Sequence, residues 1–374
     1  MKNIQKFKSM YIGLISGTSM DGIDAVLMNI SGKHCNVLGT FDKKYPNKLR
    51  QQLLKASQDW ENTNIDQLGR LDHWVGEVFR DAALDLIKNC KVRANDVIAI
   101  GSHGQTIRHQ PQAVKPYTMQ IGDPNVIASG TRITTVTDFR RRDIAVGGEG
   151  APLTPIFHQL LFSEDKINRV VINIGGMTNL TILNKDLNDI VGFDSGPGNI
   201  LIDNWIQENL NQPIDISGKW AGKGKVNKDL LNDLIADPYF DLSPPKSTGF
   251  EYFNIKWLKQ YLSTNTISPE DIQRTLVCLT AESIYRAITQ NNSDTQEVIF
   301  CGGGIKNDTL MYEVKARLKN IKISTTSDYG IDANYLEAAA FAYLAKHTLS
   351  KKAGNIPSVT GANQAEILGG IYLV

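Results

Sequence analysis

The sequence predicts an α/β fold of two domains with a cleft between them. Short apolar strands alternate with amphipathic helices along the 374 residues. The order of strand, small polar turn and strand occurs at residues 11–30 and again at 170–183, so the chain begins twice in a similar way. We place a first domain at residues 1–165, a second at 166–354, and a C-terminal loop and strand at 355–374 that completes the first domain.

The first strand pair encloses a turn of small and polar residues. The apolar runs Tyr11–Ile15 and Ile23–Ile30 flank the sequence GTSMDG at residues 17–22. The glycines and the Asp-Gly pair of this turn suit a hairpin. Its backbone N–H groups and hydroxyls can also converge on a phosphate, beside which Asp21 and Asp24 can hold a hydrated Mg²⁺. A plain hairpin turn and a phosphate-binding loop both fit this stretch.

Two common nucleotide-binding motifs are absent from the sequence. Gly17 and Gly22 have the spacing of a Walker A loop, but Ile23 stands where the lysine of that motif must be. No G-x-G-x-x-G follows a predicted strand, so a dinucleotide site of the Rossmann kind is not expected.

The first half continues with alternating elements. Apolar residues at helical spacing predict a helix over residues 65–89. A short strand over residues 97–101 ends in a polar segment that carries His103 and Gln105, at the strand end where ligands gather in α/β sheets. Residues 138–155 combine three arginines with three close glycines and predict a loop over a site. The other predicted elements are strands at 35–45 and 133–136, and helices at 47–57, from 125 onward and at 155–162.

Glycine-rich segments follow strands in the second half as well. The strands predicted here cover residues 170–174, 180–183, 297–301 and 367–374, and the helices cover 200–209, 269–291 and 333–347. Two glycine-rich ends consist of Gly175, Gly176 and Asn179, and of Gly302, Gly303 and Gly304. Together with residues 17–22 they suggest three contacts with one large anionic ligand, because glycine lets the backbone approach a phosphate closely. A single such turn is more often structural.

Asp194 is the candidate general base. It follows a strand-like run and precedes a Gly-Pro-Gly turn, so its carboxylate would be held rigidly. Helix capping is the competing interpretation, although Asn199 is better placed to cap. His103 suits a substrate contact or a structural role. Glu337 suits a sugar-hydroxyl contact or a favourable charge at a helix N-terminus.

The composition excludes several classes of partner. A formal net charge of +1 gives no electrostatic drive toward nucleic acid or a membrane surface. The four cysteines are far apart and show no metal-ligand spacing, which is typical of reduced, mostly buried thiols in a cytoplasmic protein. No apolar run approaches the length of a membrane span, and no signal peptide is apparent.

The long motifs, taken together, resemble the 1,6-anhydro-N-acetylmuramic acid kinases, a family of the actin, sugar-kinase and Hsp70-like ATPase fold. The resemblance extends from about Tyr11 to the C-terminus. It departs from the usual family pattern at Glu149 and Ser217. The motifs are GLISGTSMDGIDAVL, IGSHGQTIRHQP, QIGDP, DFRRRDIAVGGEGAPLTPIFH, INIGGMTNL, GFDSGPGN, PPKSTG, CGGG and NIPSVTGA.

The resemblance implies a function and a set of site residues. The family uses ATP, Mg²⁺ and water to convert the anhydro sugar into N-acetylmuramic acid 6-phosphate during recycling of the bacterial cell wall. The resemblance implies a cytoplasmic homodimer that acts on a small amino-sugar substrate. It also implies that Asp194 is the catalytic carboxylate and that Asp21 is a possible water-mediated metal contact. The implied ATP contacts are Gly17, Thr18, Ser19, Met20, Asp21, Gly22, Ile23, Asp24, Gly175, Gly176, Asn179, Gly302, Gly303 and Gly304. The implied sugar contacts are His103, Gln105, Thr131, Asn199 and Glu337.

Two other functions fit the same fold. A simple amino-sugar kinase would phosphorylate a hydroxyl without opening a ring, and Asp194 would then deprotonate that hydroxyl. A non-enzymatic nucleotide switch of the actin kind would work by conformational change and assembly.

Overall fold

A computed structural model describes residues 8–17, 19–32, 34–184, 186, 189–262 and 267–374. The chain divides into two compact units. Unit 1 comprises the described residues up to Leu161 together with Gly330–Val374, and unit 2 comprises Phe162–Tyr329. No helix in these ranges is both long enough and apolar enough to cross a bilayer.

Unit 1 is built on a seven-stranded sheet within the described residues. Its strand order is β12-β6-β4-β1-β2-β3, and β5 pairs with the far end of β4. The strands are β1 (Met10–Ser16), β2 (Gly22–Ser31), β3 (His34–Lys44), β4 (Val97–Gln110), β5 (Tyr117–Ile121), β6 (Thr135–Thr137) and β12 (Gly370–Tyr372). The helices are α1 (Asn47–Gln58), α2 (Ile65–Cys90), α3 (Pro124–Thr131), α4 (Arg141–Ala145), α5 (Pro155–Phe162, whose last residue belongs to unit 2), α11 (Leu336–Leu349) and α12 (Pro357–Thr360).

Unit 2 contains a five-stranded sheet in the order β11-β10-β7-β8-β9. Its strands are β7 (Arg169–Ile174), β8 (Met177–Leu183), β9 (Val191–Pro197), β10 (Glu297–Cys301) and β11 (Lys322–Thr325). Its helices are α6 (Ile200–Leu210), α7 (Lys228–Ile235), α8 (Ile255–Tyr261), α9 (Pro269–Asn291) and α10 (Asp308–Arg317). The strands β10 and β7 and the helix α9 form the centre of one continuous apolar core.

The two sheets share one topology. In each, an antiparallel meander of three strands continues from its first strand into a parallel neighbour, as β1–β2–β3 continues into β4 and β7–β8–β9 continues into β10. The similar beginnings predicted at residues 11–30 and 170–183 are therefore the first hairpins of two sheets with the same strand order.

The Ala-rich helix α11 explains why residues 330–354 belong to unit 1, whereas the sequence placed them in the second domain. Its backbone lies directly against two glycines of the unit 1 sheet. A Cβ atom added to Gly13 would lie 1.7 Å from the carbonyl oxygen of Ala338, and one added to Gly101 would lie 2.0 Å from that of Phe341. Small residues on both sides allow this approach, and hydropathy along the chain does not report it.

Three predicted elements differ from the structure. The strand expected at 97–101 is β4, which continues to Gln110 because its polar half pairs antiparallel with β5. The loop expected at 138–155 contains α4 and a buried carboxylate, Asp143. This residue accepts hydrogen bonds of 2.7 Å from Gly150 N, Asn355 Nδ2 and Thr360 Oγ1, so it fixes the segment both to itself and to residues 355–360. The C-terminal strand, expected at residues 367–374, comprises only the three residues of β12.

Candidate active site

The turn between β1 and β2 is braced by neighbouring side chains. Met20 has φ +53° and donates its N–H to Gly17 O at 3.2 Å. Arg50 Nε donates to Met20 O at 3.1 Å, and the Arg50 guanidinium lies 3.8 Å from the exposed Asp21 carboxylate. Thr18, one of the predicted ATP contacts, lies outside the described residues.

Gln105 holds this turn from the neighbouring strand. Its Oε1 accepts from Ser16 Oγ at 2.6 Å, and its Nε2 donates to Gly17 O at 3.2 Å. Ser16 Oγ also lies 2.7 Å from Gly22 O. The structure thus places Gln105 beside the predicted phosphate turn, where it bonds to the turn's own backbone.

Asp24 faces Asp42 directly across β2 and β3. Tyr335 donates its hydroxyl to Asp42 Oδ2 at 2.8 Å. Desolvation, and after it the neighbouring carboxyls of Asp42, Glu337 and Asp21, together raise the pKa of Asp24 to about 7. Two facing carboxylates cannot both ionise cheaply, so the pair tends to retain one proton near neutral pH.

This carboxyl pair predicts how stability varies with pH. The pKa of Asp24 rises from 3.8 to about 7 on folding, so the folded state holds the proton more tightly. Its contribution to stability is complete below the unfolded value and is lost as the pH rises through about 7. We therefore expect the free energy of unfolding of Asp24→Asn, measured relative to that of the wild type, to be higher at pH 8 than at pH 5. Urea unfolding at both pH values measures this, with the exposed Asp66→Asn as control. An equal difference at the two pH values would contradict the prediction.

His103, Arg140 and Glu337 form a second group in unit 1. His103 Nδ1 lies 3.0 Å from Gly104 O, and Arg140 Nε donates to His103 Nε2 at 2.9 Å. The imidazole is therefore neutral with its proton on Nδ1, and burial followed by the charge of Arg140 holds its pKa well below the usual value. Although Glu337 is exposed, desolvation by the surrounding protein raises the pKa of its carboxyl, and Arg140 opposes that rise.

The hydroxyl of Thr131 makes no hydrogen bond to the Asp24–Asp42 pair or to the group of His103, Arg140 and Glu337. It is buried at the end of α3, where Oγ1 donates to Ile127 O at 2.7 Å and accepts from Ile133 N at 3.3 Å. Its predicted sugar contact stays a prediction.

In unit 2, the turn after β7 is held by the start of α6. Gly198 N donates to Gly176 O, and Asn199 N donates to Gly175 O, both at 2.8 Å. Asn199 occupies the N-cap position of α6 but makes no side-chain cap; its Nδ2 points to Ile174 O at 3.5 Å. The residue that the sequence placed better than Asp194 to cap this helix therefore does lie at its N-cap position, without a side-chain hydrogen bond to the helix.

The third glycine segment meets this turn at Ile174. A Cβ atom on Gly302 would lie 2.6 Å from Ile174 O, and one on Gly304 would lie 2.2 Å from the Ile174 side chain. Close packing therefore requires glycine at both positions, and Gly302 also has φ +83°. A Cβ atom on Gly303, by contrast, would meet no atom within 4 Å. The structure thus brings two of the three predicted glycine segments together in one unit.

At the glycines of the two turns an added Cβ would make only ordinary van der Waals contacts. The nearest atom to an added Cβ is 3.9 Å away at Gly17, 3.4 Å at Gly175 and 4.0 Å at Gly176. None of these three has a positive φ. Internal packing does not require glycine at these positions, whereas at Gly22 a Cβ would lie 2.4 Å from Lys43 O.

Asp194 lies within β9, opposite Asn179 of β8. Thr248 N donates to Asp194 Oδ2 at 3.0 Å, and Ser247 Oγ lies 3.3 Å from the same oxygen. The carboxylate is thus oriented by a backbone amide and a hydroxyl of one short segment. That segment is the PPKSTG motif, whose role sequence reasoning missed although the motif itself was visible.

The described residues contain no group of three or more His, Cys, Asp or Glu side chains suited to hold a metal. A water-mediated contact of Asp21 with Mg²⁺ therefore stays a prediction.

Comparison with known proteins identifies the family. The family model described as anhydro-N-acetylmuramic acid kinase matches residues 9–374. The chain belongs to this family. Three curated relatives carry that name. The relative from Coxiella burnetii (strain RSA 493 / Nine Mile phase I) is 47% identical over 98% of this chain and 98% of its own length. The relative from Shewanella sp. (strain ANA-3) is 47% identical over 98% of this chain and 99% of its own length. That of Xanthomonas campestris pv. campestris (strain 8004) is 45% identical over 97% of both chains.

Solved structures align over most of the chain with low similarity. Component A of the Acidaminococcus fermentans (R)-2-hydroxyglutaryl-CoA dehydratase covers 89% of this chain and 96% of its own at TM-score 0.45 and 10% identity. A ROK family glucokinase from Streptomyces griseus covers 91% and 100% at TM-score 0.42 and 11% identity. The two units and their repeated sheet order confirm the predicted α/β fold of two similarly built domains.

Proposed function

We propose that this protein transfers the γ-phosphoryl group of ATP to O6 of 1,6-anhydro-N-acetylmuramic acid while water opens the anhydro bond. The product is N-acetylmuramic acid 6-phosphate. The observation that carries the proposal is the carboxylate of Asp194, fixed on β9 by Thr248 N and Ser247 Oγ in a chain of this kinase family. We assign Asp194 the role of general base toward the attacking water.

The chemistry needs one carboxylate rather than two. Hydrolysis of a glycosidic bond normally uses a base to activate water and an acid to protonate the leaving oxygen. In the anhydro sugar the leaving oxygen is O6 of the same molecule, and the γ-phosphoryl group takes the place of the proton. Water oxygen bonds to C1, the C1–O6 bond breaks, O6 bonds to phosphorus as ADP leaves, and Asp194 takes the water proton.

The open glycines fit a nucleotide. Gly17, Gly175, Gly176 and Gly303 leave space where a Cβ would stand, as a backbone that contacts phosphates or a nucleoside requires. We assign the turns at residues 17–22 and 175–179 to the phosphates and residues 302–304 to the nucleoside end. Mg²⁺, when bound, would neutralise phosphate charge, and Asp21 would hold it through water.

The adjacent Gly303 and Gly304 allow a matched test of this assignment. We expect Gly303→Ala to raise KM for ATP severalfold with little change in stability, because the new methyl group enters open space. Gly304→Ala should instead destabilise the protein by ~1–3 kcal/mol, because its methyl group overlaps the Ile174 side chain. Steady-state kinetics and urea unfolding of both variants measure these effects. Wild-type KM in Gly303→Ala would contradict the nucleoside assignment.

We assign the sugar to the second group of unit 1. The Arg140 guanidinium, held by His103 and by Gly150 O at 2.7 Å, suits the carboxylate of a muramic acid. Glu337 suits the sugar hydroxyls. A homodimer stays a prediction from the family resemblance, and a cytoplasmic location stays a prediction from that resemblance and from the cysteine pattern.

NMR of the nascent product tests the reaction. Direct attack by water predicts inversion at the anomeric carbon, with phosphorus coupled to the C6 protons. Retention would contradict direct attack, and a product phosphorylated with its anhydro ring intact would favour the simple amino-sugar kinase.

A further inference from the structure

The segment from Tyr239 to Thr248 holds Asp194 at four points. Besides the two contacts at Oδ2, Asp194 N donates to Lys246 O at 3.0 Å, and the Tyr239 hydroxyl donates to Asp194 O at 2.8 Å. Main chain and side chain of the proposed base are therefore both set by one segment. Any shift of this segment would move the carboxylate.

Residues 244–249 of this stretch, which carry Ser247 and Thr248, are held by little apolar burial. On either side of this loop, Leu242 is 54% exposed and Phe250 is 74% exposed. By contrast, Tyr239 and Phe240 are 5% and 3% exposed and belong to the apolar core of unit 2. The exposed part therefore needs another attachment to this core.

Lys246 makes that attachment. Its Nζ donates to Tyr239 O at 3.1 Å and lies 3.4 Å from Phe240 O. The same ammonium group stands 4.8 Å from the centre of the Tyr239 ring. One side chain thus ties the loop that carries Ser247 and Thr248 to buried backbone.

We propose that Lys246 is a positioning residue for Asp194, which acts by anchoring the 244–249 loop and by placing a positive charge near the carboxylate. The inference rests on the proposed function of Asp194 as base. It adds a residue that does not itself contact the reacting atoms.

The positive charge of Lys246 also affects the ionisation of Asp194. Desolvation lowers the pKa of Lys246, while Asp241 and Asp194 act in the opposite direction. Asp194 also helps to raise the pKa of the Tyr239 hydroxyl, after desolvation. Since such interactions are mutual, the Lys246 cation favours the ionised carboxylate of Asp194. Its loss should shift the acid limb of the pH–rate profile to higher pH.

A double-mutant cycle tests the proposal. We expect Lys246→Met to lower kcat by ~10- to 100-fold, with KM for both substrates within about twofold of the wild type, because small misplacement of a catalytic group is costly. Lys246→Arg should restore most of kcat and the acid limb. In an Asp194→Asn background, Lys246→Met should cost almost nothing further. The exposed Lys256→Met serves as control for loss of one charge.

Each outcome decides the matter. An equal loss in both backgrounds, or no loss in the wild-type background, would overturn the positioning role. If Lys246→Met does not fold, Lys246→Gln tests the charge alone: glutamine can still donate to Tyr239 O, so the acid limb should move to higher pH while kcat on the plateau stays near that of the wild type, and an unmoved acid limb would overturn the charge contribution. Wild-type turnover in Asp194→Asn alone would instead refute the assigned base, so the two failures are distinguishable.

Discussion

Asp194→Asn should lose ~10²- to 10⁴-fold in kcat while it retains the fold and ATP binding. Asparagine has the same shape, and its amide oxygen can accept from Thr248 N and Ser247 Oγ as the carboxylate does. It cannot take a proton from water at neutral pH. The loss should therefore fall on turnover rather than on substrate affinity.

Steady-state kinetics, calorimetric titration with ATP and circular dichroism measure these three properties. Asp189→Asn, an exposed substitution shortly before β9, is the matched control and should behave as the wild type. Turnover within about tenfold of the wild type in Asp194→Asn would mean that the base lies elsewhere, because general base catalysis contributes more than this.

Gly13→Ala should destabilise the protein by ~3 kcal/mol or more. The added Cβ would lie 1.7 Å from Ala338 O and 2.9 Å from Ala342 N, both backbone atoms of α11. No side-chain rotation relieves such an overlap, so the helix must move away from β1. Because α11 also carries Glu337, activity should fall with stability.

Urea unfolding measures this effect, and Gly69→Ala is its control. Gly69 lies within α2, and a Cβ there would meet nothing within 4 Å. Alanine should stabilise that position by ~0.5–1 kcal/mol through helix propensity. A free energy of unfolding for Gly13→Ala within about 1 kcal/mol of the wild type would contradict the close packing described for α11.

The sequence predicted local elements well where apolar periodicity was strong. The bounds of α5, α9 and β10 agree with the predicted 155–162, 269–291 and 297–301. It failed where tertiary pairing decides the outcome. The polar half of β4 is a strand because β5 pairs with it, and α11 joins unit 1 through close backbone contacts that hydropathy does not encode.

The candidate site shows the same limit. Glycine content marked all three segments, but it could not separate Gly303, which faces open space, from Gly304, which packs against Ile174. The sequence singled out Asp194 because it expected a rigid turn there, whereas the residue lies within β9. Its partners Ser247 and Thr248 lie more than fifty residues further along the chain, so only the fold reveals them.

The most direct test of the central claim uses the purified protein with Mg²⁺, ATP and 1,6-anhydro-N-acetylmuramic acid in ¹⁸O-labelled water. Mass spectrometry of the sugar product, taken before the anomeric oxygen exchanges with solvent, reports where water has entered. We predict a phosphorylated sugar with one ¹⁸O at the anomeric position. ATP consumption with a phosphorylated but unlabelled sugar would contradict coupled hydrolysis and ring opening.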